Sequence, residues 1–63
     1  MYVFVLVNAC SNVDVHISDA AADEEAVIDA YRYGVELKCG CIEFDTIEVW
    51  DPNDTLIVAL NFG

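Results

Sequence analysis

The residues with chemistry to offer are one histidine, three cysteines and twelve carboxylates. His16 sits in an alternating run, with Val13, Val15 and Ile17 on one parity and Asp14, His16 and Ser18 on the other. That pattern puts it on the solvent side of a half-buried strand. A general base needs a nucleophile or an orienting acid beside it in a pocket, and the surrounding sequence supplies neither. His16 therefore reads as a surface residue, and the chain is not expected to be an enzyme. Cys39-Gly40-Cys41, with Cys10 and His16, makes a three-cysteine, one-histidine inventory of the kind that holds zinc. Zinc cysteines are usually separated by roughly two to four residues, a spacing that Cys-x-Cys misses, and a bridge between the two would be strained. They read as small thiols near a turn, and no metal or cofactor is expected. Asp51-Pro52-Asn53-Asp54 lacks the rest of a calcium loop and its bidentate Glu, so it reads as a turn.

The carboxylates are the larger signal. They are opposed only by Arg32 and Lys38, which gives a formal net charge of −10. Self-repulsion on that scale works against a compact state. Direct binding to DNA or RNA requires clustered Lys and Arg, and anionic membranes attract the same residues, so both are excluded. The acids are interleaved with apolar positions, so folding would display them on a rigid scaffold. Fixed carboxylates can imitate the phosphates of a duplex, whose charges recur about every 1.7 Å along its axis. The expected function is thus a small acidic inhibitor that mimics nucleic acid. It would block the basic groove of a DNA- or RNA-handling host protein, such as a restriction, CRISPR or repair enzyme. Size and charge resemble those of small phage and mobile-element proteins with that strategy, though no sequence family is indicated. The candidate contact residues are Asp23, Glu24, Glu25 and Asp29, then Glu43, Asp45 and Glu48, then Asp51 and Asp54. Trp50 or Tyr33 is a candidate aromatic anchor.

The elements that must position these groups follow from periodicity. Tyr2 to Asn8 is apolar on both parities, as in a central strand. Asn8 to Asn12 carries turn-formers, and the alternating run after it, with its valines inward, completes a hairpin. Ser18 to Gly34 reads as the helix, capped by Ser18 or Asp19 and ended by Gly34. Its inward stripe would be Ala20, Val27 and Tyr31, flanked by Ile28 and Ala30, with Glu25 and Asp29 opposite. Val35 to Lys38 alternates briefly. Ile42 to Trp50 reads as a strand whose apolar phase changes, which a β-bulge near Asp45 and Thr46 would repair. Thr55 to Phe62 reads as another central strand. The expected fold class is α+β, a small ββαββ domain with a four-stranded, mainly antiparallel sheet and one helix on one face. The first and last strands are expected inside.

Sixty-three residues allow one domain. The hydrophobic share of 57% exceeds what one small core readily hides, so the sheet face away from the helix is expected to stay apolar and open. That supports a second reading, an interaction or structural module, homodimeric through this face, with acidity serving solubility, as in a halophilic source. Three cysteines do not make an even disulfide set, which suits a reducing cytoplasm. The apolar run before Cys10 has no basic residue and is too short for a signal sequence, and no stretch is long enough to span a bilayer.

Overall fold

The computed structural model of the chain describes residues 1–9, 11–40 and 43–63. Its elements are β1 (Tyr2–Asn8), β2 (Ser11–Ser18), α1 (Asp23–Lys38), β3 (Thr46–Trp50) and β4 (Leu56–Asn61). The strands form one sheet in the order β2-β1-β3-β4, every neighbouring pair antiparallel, with α1 against one face. This is the expected α+β layout. Its order differs at one point: β3 is central and β4 lies at the edge. Both β3 and β4 belong to a hairpin, so only one of them can run antiparallel to β1. Placing β4 beside β1 in its present direction would create a parallel pair, which is slightly less stable per residue.

The core is built from alternate residues of the two inner strands. Tyr2, Phe4 and Leu6 of β1 and Ile47 and Val49 of β3 point to the helix side, where Ala26, Ala30, Ala20 and Phe44 join them. The phase change ahead of β3 resolves because the strand begins at Thr46, leaving Phe44 in the approach to it. Phe44, Ile47 and Val49 all end up buried. The ladder continues one step further out: the Asp45 N–H donates to the Val7 carbonyl (3.0 Å), and the Asp45 carbonyl accepts from the Phe62 N–H (2.7 Å). The register irregularities fall elsewhere, at Leu6/Val7 and Val49/Trp50. Ile42, placed by sequence in this strand, lies outside the described residues, as do Cys10 and Cys41.

The helix departs from its expected bounds at both ends. Ser18 is still paired with Tyr2 in the β-ladder, so the chain cannot turn helical there. Its Oγ accepts the Ala20 N–H instead (3.2 Å). The N-cap is Ala22, extended and without a side-chain cap, and the Ala26 N–H closes the first turn on the Ala22 carbonyl. Asp23, Glu24 and Glu25 fill that first turn, where carboxylates suit the positive end of the helix dipole. Gly34 does not end the helix. It is buried mid-helix, and the helix runs on through Val35 to Lys38, which had read as a brief alternation.

The buried stripe is Ala26, Ala30 and Gly34, an i, i+4, i+8 row of the smallest side chains. It is rotated from the expected one: Ile28 and Tyr31 are exposed, and Val27 is half-buried. Small residues let the helix backbone approach the sheet, and Phe62 of the chain end fills the space over Gly34. The larger apolar residues then have nowhere to go but outward. Asp29 is half-buried, not on the open side as expected; Glu25 is exposed.

Candidate protein-binding surfaces

One end of the molecule collects acids from three separate segments. Tyr2 begins β1, Ser18 ends β2 opposite it, and Trp50 ends β3 beside Val3, so the β2–α1 connection, the first turn of α1 and the β3–β4 turn all meet there. They bring Asp19, Asp23, Glu24, Glu25, Asp51 and Asp54, half of the chain's acidic residues. Neither Arg32, mid-helix, nor Lys38, in the last helical turn, belongs to this pole. Lys38 instead donates to the Phe44 carbonyl (2.8 Å) and lies over the Phe44 ring (5.0 Å).

Three of these acids also have a place in the fold. Asp51 Oδ1 accepts the N–H groups of Asn53 (2.9 Å) and Thr55 (2.8 Å), which closes the turn around Pro52. Asp54 takes the left-handed conformation that this turn requires, with φ of 60°. Asp23 accepts a hydrogen bond from the Tyr2 hydroxyl at 2.5 Å. That bond, then burial, then the charges of Asp23 and Asp51 push the Tyr2 phenol up to about 12.

The raised value favours the neutral phenol in the folded state. Its stabilisation is therefore complete below pH 10, the ordinary tyrosine value, and is lost as pH rises from there to about 12. Urea midpoints measured across that window should fall more for the parent chain than for Tyr2→Phe. Asp23→Asn should bring the Tyr2 titration, followed by phenolate absorbance, back toward 10. Equal pH slopes in parent and Tyr2→Phe would remove this coupling.

The remaining candidate contacts are dispersed. Asp45 and Glu43 lie near the opposite end, where Asp45 pairs with Val7. Asp29 faces a cleft between α1 and β2. Glu48 stands on the open sheet face, between Val5 and Ala59 in register, and accepts the indole N–H of Trp50 (3.2 Å). The nine acids chosen from sequence therefore form no single surface; five of them share the pole. Asp19 joins these five and was missed, since its place depends on where β2 ends.

Around Glu48 the open face is mostly apolar. Val3, Val5 and Val7 of β1 share it with Val15 and Ile17 of β2, Trp50 of β3, and Leu56 and Ala59 of β4, as the registers require. Val15 and Ile17 are each 54% exposed. This reverses the expected parity of β2, whose valines were to face inward. The cross-strand pairs Val5↔Val15 and Val3↔Ile17 extend one β-branched surface, while Ser18, His16 and Asp14 take the helix side. The cost is small because α1 lies over β3 and β4 and leaves β2 largely uncovered. His16 is consequently not a solvent-face residue. It is half-buried and stacks on Tyr33 of α1, with ring centroids 4.3 Å apart.

Cys39 is exposed at the helix C-cap. Cys10 and Cys41, the other members of the cysteine inventory that the sequence set aside as a metal site, lie outside the described residues. Among the described residues, no cluster of three or more His, Cys, Asp or Glu is arranged to hold a metal ion, and no helix is long and apolar enough to cross a membrane. Compared with known proteins, the chain matches no protein family, no curated protein and no solved structure.

Proposed function

We propose that this chain is a non-enzymatic binding protein whose acidic pole occupies the phosphate-binding groove of a basic, nucleic-acid-handling protein. The observation that supports it is the convergence of acids from three segments on one end, away from both basic side chains. Asp51 and Asp54 are held by turn geometry, and Asp23 by Tyr2, so part of the charge is fixed before any partner arrives. Preorganised charge needs less ordering on binding, and its field would speed encounter with a positive groove. Glu24 and Glu25 are exposed and, apart from their favourable place at the helix N-terminus, hold nothing in the fold, which makes them the contacts that can be changed at least cost to it. A host-cell enzyme that restricts, edits or repairs nucleic acid has the required groove, and a phage or mobile element has the motive to carry such an inhibitor.

Affinity capture from host lysate at low salt, eluted by a rising salt gradient, tests this reading. Release of one or a few nucleic-acid enzymes at moderate salt is the expected result. Recovery of self-association alone, with nothing released by salt, would contradict it.

A second reading is favoured by the open sheet face. An apolar surface containing Val3, Val5, Val15, Ile17, Trp50 and Leu56 suits docking on a larger assembly or on a second copy, with the acids preventing aggregation. Such association should change little with salt, because apolar burial and not charge would drive it.

A further inference from the structure

The displacement of α1 toward β3 and β4 leaves a cleft of about 250 Å³ between the helix and β2, which shares Asp19 with the acidic pole and reaches Ile17 at the sheet edge but includes neither Glu24 nor Glu25. Its lining combines three aromatic rings with polar and charged side chains. Tyr33 reaches from α1 and stacks on His16 of β2 at an interplanar angle of 24°, and Phe4 lies next to both, 5.7 Å from His16 and 6.3 Å from Tyr33. Along the rim, Asp29, Arg32 and Glu36 follow one another on the helix, with Asp19 from the connection that precedes it.

We propose that this cleft receives a guanidinium group, presented as an arginine side chain by the basic partner; the source of the arginine rests on the function proposed above, and the chemistry of the cleft does not. Charge sets the sign of the ligand. One arginine stands against three carboxylates, so two negative charges are in excess and a phosphate or carboxylate ligand is disfavoured. Shape sets its class. The His16 and Tyr33 rings both line the cleft, and Asp19, Asp29 and Glu36 line it with them. A guanidinium is planar, weakly hydrated and able to donate two parallel hydrogen bonds to a carboxylate while lying against a ring. An ammonium has the charge without the plane. Arg32 lies three residues after Asp29 and four before Glu36, within helical reach of both, and its charge offsets part of the field of the acids.

The test uses the full chain and the capped tripeptide acetyl-Gly-Arg-Gly-amide, followed by NMR. Saturable shifts of the His16 and Tyr33 rings and of the Asp29 and Glu36 amides are expected, with Kd on the order of millimolar. The corresponding lysine peptide should bind about threefold more weakly or worse. Asp29→Asn should weaken the arginine peptide by about threefold or more, and Arg32→Gln should tighten it by a similar factor. Tyr33→Leu should abolish ring stacking while the amide spectrum of the distant strands certifies the fold. Shifts that stay linear and spread over all acids, or equal binding of the two peptides, would overturn the proposal. Agmatine, a free guanidinium compound, should bind no tighter than the peptide; a preference of tenfold or more would make the ligand a small molecule and overturn the partner side chain. Glu24→Lys with Glu25→Lys should leave this titration unchanged, so failure of the cleft and failure of the acidic pole give different results.

Discussion

Leu6→Ala should remove about a third or more of the chain's stability. Leu6 is fully buried in the central strand β1, with Asp14 and Ile47 beside it in register. Truncating a leucine in such a site costs the transfer free energy of the lost methyl groups and a further amount for the cavity, together about 3 to 5 kcal/mol. A chain of this length has roughly 3 to 9 kcal/mol of stability in total. Urea unfolding followed by Trp50 fluorescence measures the change, and a loss below about 1 kcal/mol would contradict this account of the core. Val15→Ala, on the open sheet face, is the contrasting variant. It should cost only a few tenths of a kcal/mol in the monomer, the usual effect of a surface change. A larger, concentration-dependent cost would show that a second copy covers that face.

Gly34→Ala should also destabilise, against the general rule for helices. Replacing a mid-helix glycine by alanine ordinarily gains up to about 1 kcal/mol. Here an added Cβ would stand 2.2 Å from Phe62 Cζ and 2.4 Å from Cε2. Phe62 has limited room to retreat, because its ring packs edge-on against Phe44 (5.6 Å) and lies 5.9 Å from Tyr31. Overpacking of this kind costs about 1 to 3 kcal/mol, which outweighs that gain and leaves a net loss of up to about 2. In a Phe62→Ala background the clash is gone, and the same Gly34→Ala change should become neutral or favourable. Its sign should therefore reverse between the two backgrounds. A loss of equal size in both would place the cause in the backbone and not in Phe62.

The glycine also shows why part of this fold was legible in the sequence and part was not. Local periodicity gave the order ββαββ, the bounds of β1, and the Asp51–Asp54 turn, because each depends on nearby residues. Gly34 read as a helix stop because its real role, clearance for a phenylalanine twenty-eight positions away, leaves no local trace. The helix start was misplaced because the pairing of Ser18 with Tyr2 outweighed its capping propensity. The parity of β2 was misjudged for a related reason. Alternation shows that two faces differ, and the covered one is decided by where the helix lies. That single error hid the cleft, since His16 and Tyr33 meet only once His16 turns to the helix side.

The acids illustrate the same limit at the surface. Their number needed no structure. Their grouping did: five of nine candidates gather at one end only because the β2–α1 connection and the β3–β4 turn close on the start of β1. Asp45 and Glu48 are a few residues from Asp51 in sequence, yet one lies near the far end and the other on the sheet face. Strand direction and pleat separate them.

The most direct test of the central claim is competition on the partner recovered by capture. A duplex or single strand that the partner normally binds would be titrated into its complex with this chain, at two salt concentrations. Mimicry predicts mutual exclusion: the chain's apparent affinity falls in proportion to added nucleic acid, weakens as salt rises, and drops sharply for Glu24→Lys with Glu25→Lys. A ternary complex, insensitive to salt and to the charge reversal, would contradict it and leave the apolar sheet face as the surface that binds.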